Sequence, residues 1–262
     1  MPRASGFTLI ELTMTITILG IMAVGVTSFF GATVGGYGTT VDRAQMASAM
    51  VVAGERISRD IRRALPNSVR IGGVLDNCVE FVPVKRGGFY VSVPRSVSAA
   101  SFAAASLGNT TSLSGHVAVY PTDVSSIYDT SALPGVVTPD EATVPVGSDE
   151  VTIALGAAHR FPADSPQRRF YVTDSPQAYC QPSGSSRLYR YRDYGFNATA
   201  SLPPSGGTRD VLIDGLSTAS TVDFDYTSGS LQRHAVLRFV LVASGGEESM
   251  TLDQEVQVRN VP

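Results

Sequence analysis

Hydrophobic positions follow three different patterns along the chain. Between Phe7 and Tyr37 the only charged side chain is Glu11, and the stretch from Thr8 to Phe30 is otherwise apolar, small or hydroxylic. Its roughly 23 residues suffice to cross a hydrocarbon core of about 30 Å as a helix. Thr13, Thr15, Thr17 and Thr27 are compatible with that, because their hydroxyls can bond back to helix carbonyls. Further on, Met46, Met50, Gly54, Ile57, Ile61 and Leu65 recur every three or four residues, which predicts an amphipathic helix. Glu55, Arg56, Arg59, Asp60, Arg62 and Arg63 form its solvated face, and Pro66 stops it. Together these predict one helix from about Phe7 to Leu65, near 90 Å long at roughly 1.5 Å per residue. Gly31, Gly35, Gly36 and Gly38 weaken its middle, so bending or melting is expected there.

Beyond Pro66 the period falls to two. Cys78 to Val84 reads as a strand whose Pro83 suggests an edge or a bulge, and Gly87-Gly88 reads as a turn into Phe89–Val93. His116–Tyr120, Glu150–Leu155, Arg169–Thr173, Leu188–Arg192 and Val222–Tyr226 are further strand candidates. A final hairpin pairs the nearly continuous apolar run Val236–Val242 with the alternating segment after Met250, turning at Gly245-Gly246-Glu247-Glu248. Ser96–Gly115 and Pro134–Asp149 are low in complexity and read as surface loops or an insertion. The fold class expected is α+β: a long N-terminal transmembrane and amphipathic helix packed on a mainly antiparallel β head. The segments are 7–36 for the membrane helix, 37–66 for its amphipathic continuation and 67–262 for the head.

Composition changes this picture little. A length of 262 residues allows one sizeable domain plus an appendage, and the net charge of −3 argues against a general nucleic-acid binder. Arg3 and the initial amine precede the apolar run, while its other flank is uncharged until Asp42. The positive-inside rule therefore keeps the short end in the cytoplasm and exports the remainder. In an exported head Cys78 and Cys180 read as a disulfide, whose loop of about 100 residues would stabilise the fold by up to roughly 4–5 kcal/mol. Two buried free thiols are the alternative.

Glu11 is the residue that needs explaining, since a carboxylate within a bilayer costs at least a few kcal/mol. A secretory signal would have a shorter apolar core followed by a small-residue cleavage site, and a plain anchor gives Glu11 no purpose. Cleavage between Gly6 and Phe7 supplies one: the new amine would lie four residues before Glu11, on the same helix face. The string Gly6-Phe7-Thr8-Leu9-Ile10-Glu11, after a short basic leader, resembles the signal of type IV prepilins and of type II secretion pseudopilins. The resemblance implies a leader of residues 1–6 and a membrane prepilin peptidase that cuts after Gly6 and methylates Phe7. It also implies that Glu11 guides docking during assembly. Glu255 to Pro262, Cys78-Val79-Glu80-Phe81 and Leu188-Tyr189-Arg190-Tyr191 resemble the minor pilins of mannose-sensitive haemagglutinin (MSHA) pilus biogenesis. The implied partners are other major and minor pilin subunits, the prepilin peptidase and the inner membrane, with a surface or polysaccharide ligand left open. The implied location is the inner membrane with a periplasmic head, then the pilus or cell surface.

Chemistry is thin elsewhere. His116, His159 and His234 lack ligand partners at metal spacing, and no elbow frames a nucleophilic serine, so neither a metal, a cofactor nor an enzyme is expected. Asp140, Glu141, Asp149 and Glu150 make a faint calcium candidate. The Arg and Tyr residues of Arg187–Tyr194 could stack on single-stranded DNA, although cross-strand packing explains them better. The function expected is structural: priming or capping pilus assembly, with a secretion pseudopilin or a tip adhesin as alternatives.

Overall fold

The computed structural model describes residues 6–219, 222–229, 233–245 and 248–258. The chain divides between Ser48 and Ala49 into two compact units. Helix α1 (Leu9–Arg62) supplies nearly all of the described part of the first and opens the second. The expected melting at Gly31–Gly38 does not occur, and α1 is helical throughout. Glycine weakens helix propensity by about 1 kcal/mol, but it keeps its N–H donor, and no proline interrupts Leu9–Arg62. In the first unit the Leu9–Gly31 segment has a mean hydropathy of 2.1, and none of it is buried.

The second unit is antiparallel β structure against the end of α1. One sheet has the order β1 (Arg70–Gly72), β2 (Cys78–Phe81), β9 (Gln177–Cys180), β10 (Leu188–Arg192), β11 (Thr208–Ile213). A second consists of β12 (Asp223–Thr227), β13 (Ala235–Gly245) and β14 (Glu248–Val258), with β13 central. The third is a closed barrel of β3 (Val84–Ser92), β4 (Ala99–Ala105), β7 (Glu150–His159), β6 (Ala142–Val144), β5 (Leu113–Val119) and β8 (Arg169–Thr173). A short helix α2 (Val124–Tyr128) follows β5, capped by the Asp123 carboxylate on Ser126 N–H at 3.0 Å. The architecture is α+β. The middle of the hairpin turn, Gly246-Glu247, and the terminal Arg259–Pro262 lie outside the described residues, as does Met1–Ser5.

Three expectations for the head are corrected by the barrel. Gly87-Gly88 is no turn but lies within β3, because the strand passes so close to its neighbours that a Cβ at Gly88 would sit 2.3 Å from Leu107 Cδ2. The Ser/Ala stretch expected as a loop holds β4, which sends Phe102 and Ala104 into the barrel. Small residues suit a six-stranded barrel, whose interior already holds Phe102 edge-on to Phe161 and Phe170. The Pro134–Asp149 segment contributes β6 and buries Val136, Val137 and Thr138. Two buried histidines hold that segment: His116 Nδ1 bonds Thr138 O and His159 Nε2 bonds Gly135 O, each at 2.9 Å.

Met50, Ala53, Ile57 and Ile61 form the buried stripe of α1. At Gly54 the helix backbone approaches β14 so closely that a Cβ would stand 2.7 Å from Gln254 Oε1 and 2.9 Å from Leu252 Cδ2. The helix ends earlier than Leu65 because the chain turns to pair: Leu65 N–H donates to Val82 O at 2.7 Å and Val84 N–H to Arg63 O at 2.9 Å.

Two outcomes follow from this packing. Gly115→Ala should cost about 1–3 kcal/mol in denaturant unfolding, since its Cβ would lie 2.4 Å from the Thr173 carbonyl. Gly54→Ala should be nearly neutral, since the atoms it meets are ends of flexible side chains and alanine favours helix. Burial holds the His159 imidazole below its ordinary pKa. Above about pH 6.5 it is neutral both folded and unfolded; below that only the unfolded chain gains the proton, so stability should fall as pH drops. His159→Gln should flatten that part of the pH dependence of thermal unfolding.

Candidate functional site

Gly6, Phe7 and Thr8 precede the helix in non-helical conformation, and Phe7 is 81% exposed. Thr8 is the N-cap. Glu11 N–H donates to Thr8 Oγ1 at 3.3 Å, while Thr8 N–H and its hydroxyl donate to Glu11 Oε2 at 3.4 and 3.3 Å. This is a capping box, which satisfies two of the donors orphaned at a helix start and places a carboxylate at the positive end of the helix dipole. The Thr-x-x-Glu spacing was present in the sequence, but Thr8 gained no role there beside Glu11. Gly6 is free of any such demand. A Cβ added there would meet nothing within 4 Å, and its backbone does not occupy the region that favours glycine.

Behind this cap the helix surface is apolar on every side. Leu9, Ile10, Leu12, Met14, Ile16, Ile18 and their successors to Phe30 are all more than half exposed except Val26, which is half exposed. The threonines do not break the apolar surface: Thr13 and Thr15 donate to Ile10 O and Leu12 O at 2.9 Å, and Thr27 to Ala23 O at 2.8 Å. Such a surface requires lipid or other helices as its surroundings.

In the second unit the helix is held by charge as well as packing. Asp60 accepts the Tyr179 hydroxyl at 2.6 Å and Arg56 Nε at 3.1 Å, with Arg190 Nη2 3.9 Å away. Burial, and then the bond to Asp60, pushes the Tyr179 pKa up, so the phenol remains a donor. A second pair lies between β1 and β2. Arg70 Nε donates to Glu80 Oε2 at 2.5 Å, and the Arg70 guanidinium stacks 3.6 Å from the Tyr128 ring centre. The same guanidinium donates to Asn197 O and Ala198 O, and Tyr194 donates to Glu80 Oε1 at 2.8 Å. Sequence patterning could not reveal this network, because Arg70, Glu80, Tyr128 and Tyr194 meet only through tertiary pairing.

Cys78 and Cys180 stand opposite each other in the β2–β9 register and are joined by a disulfide across a sequence separation of 102. The Arg and Tyr residues of Arg187–Tyr194 are occupied by their neighbours: Arg187 pairs with Asp214, Arg192 with Asp210, Arg190 with Gln177, and Arg209 lies over Tyr189. Among the described residues no group of three or more His, Cys, Asp or Glu is arranged to hold a metal ion.

Residues 1–27 match the prokaryotic N-terminal methylation motif, the signal of type IV pilin-type precursors. No curated protein and no solved structure matches the chain. The motif and the apolar helix fit membrane anchoring, processing by a prepilin peptidase and assembly with other pilin-like subunits. These features indicate a structural role.

Tyr179→Phe should lower head stability by about 1.5–3 kcal/mol, the typical worth of a hydrogen bond to a charged group. In the same denaturation experiment Gly6→Ala should change nothing, since no neighbour would meet the added methyl.

Proposed function

We propose that the chain is the precursor of a minor type IV pilin of the MSHA biogenesis type, which primes or caps a filament. The observation that carries this reading is the methylation motif directly joined to a helix whose Leu9–Gly31 surface none of the described residues covers. A helix of that kind leaves the bilayer only by exchanging lipid for like helices, which is the physical step of pilus assembly. Residues 1–6 form the leader, 7–36 the membrane and assembly helix, 37–66 its continuation and 67–262 a periplasmic head.

Gly6 supports the cleavage position, because the fold itself does not call for a glycine there. A peptidase that cuts after Gly6 would need the small residue in its own site. The new amine at Phe7, methylated and still positive, would lie beside the capped Glu11 carboxylate or pair with that of a neighbouring subunit. Either arrangement removes the cost of a lone carboxylate in apolar surroundings. The three-part β head, far bulkier than the helix that carries it, suits a low-copy position at a filament tip.

The native protein extracted from membranes should start at methylated Phe7 by intact mass and N-terminal sequencing. Retention of Met1 where the peptidase is active would refute the processing. Glu11→Leu should leave membrane insertion intact and reduce incorporation into filaments several-fold. Deleting the gene should abolish filaments, whereas loss of protein secretion with filaments intact would move the chain to the pseudopilins.

A further inference from the structure

The second unit carries a basic cleft that none of the preceding roles uses. Two adjoining hollows, of about 790 and 540 Å³, share Arg62, Gly87 and Tyr171. Arg169 lines the larger one, and Arg63, Lys85 and Arg86 line the smaller, while among the described residues no Asp or Glu lines either. The cations come from separate places in the chain: the end of α1, β3 and β8. Lys85 is occupied, donating to Ser114 O at 3.0 Å with Asp174 at 3.5 Å. The side chains of Arg62, Arg63, Arg86 and Arg169 have no hydrogen-bond or ion-pair partner among the described residues. Arg62 and Arg63 answer the negative end of the helix dipole, but Arg86 and Arg169 sit on strands and have no such reason to gather.

The chain as a whole is acidic, at −3, so this cluster is a local feature and not a consequence of a basic protein. Clefts lined by one sign of charge concentrate the opposite charge within them. Two linked hollows with cations along both fit an extended polyanion better than a compact ion. They meet beside bare backbone at Gly87, where a Cβ would lie 3.4 Å from the Tyr171 ring. Phe89, 57% exposed, lines the larger hollow and offers an apolar ring more than half open to solvent. Guanidinium forks suit phosphate, and an exposed ring beside them suits a base.

We infer that this cleft binds single-stranded nucleic acid, with the arginines on the phosphates and Phe89 stacking on a base. The test is fluorescence anisotropy of a labelled oligothymidylate with the full chain in detergent, over a range of salt concentrations. Binding should weaken with salt, and each phosphate contact should contribute about −0.7 to the log–log slope. R86A/R169A should reduce affinity at least tenfold and make the slope shallower by roughly 1.4. R86K/R169K should retain the slope, which separates lost charge from a misfolded head. Phe89→Ala should weaken binding roughly tenfold with the slope unchanged. Absence of salt-dependent binding, or binding indifferent to these substitutions, would overturn the assignment. Competition by alginate together with indifference to Phe89→Ala would also overturn it, giving the cleft to an acidic polysaccharide.

Discussion

Two backbone hydrogen bonds at the end of the long helix, Leu65 N–H to Val82 O and Val84 N–H to Arg63 O, determine how the head is partitioned. Between them stands Pro83, which has no N–H to donate, so β2 cannot run on as a regular strand into β3. The helix exit occupies that gap, with Ala64 bridging Pro83. On one side β2 belongs to the open sheet and carries the disulfide to β9; on the other β3 enters the closed barrel. The apolar stripe of α1 from Met50 to Ile61 is thereby committed to one position against the sheets. The same junction places Arg62 and Arg63 near β3, where the basic cleft lies.

Polar groups then fix what apolar packing alone would leave adjustable. Asp60 ties the helix to β9 through Tyr179, and Arg70–Glu80 ties the loop after Tyr194 and helix α2 to the edge of the open sheet. Removing such charges from water is costly, and it is offset here because each has several partners with good geometry. Breaking one partner would leave the others buried and unmatched, so these pairs specify a single arrangement more than they add stability. The two histidine bonds to the Gly135–Thr138 segment act in the same way at the barrel wall.

The first unit is governed by the opposite condition. Its helix has satisfied backbone, back-bonded threonines and a self-contained cap, yet its apolar surface has no cover among the described residues. The head encloses an apolar core of its own, whereas the Leu9–Gly31 helix buries none of its apolar surface among the described residues. Glu11 links the two conditions of that segment: it closes the helix start through Thr8, and it is the one charge that any apolar surrounding must accommodate.

The sequence by itself determined the features that depend on neighbours a few residues apart. The membrane-length helix, its amphipathic continuation and the last hairpin are all periodic patterns, and a period is local information. The N-terminal methylation motif within residues 1–27 was legible for the same reason, though the Thr8 cap was overlooked. The barrel was not legible. Its β4 consists of alanine, serine and one phenylalanine, and its β3 contains two adjacent glycines, compositions that read as loop or turn. Only closure of the barrel makes small residues favourable there, because strands approach too closely for larger ones. Short strands β6, β9 and β11 likewise exist because partners distant in the chain supply their hydrogen bonds. The arginine run looked like an ordinary solvated face, and tertiary structure alone sets Arg62 and Arg63 beside Arg86 and Arg169. Charges far apart in the chain act together only after folding has gathered them along one cleft.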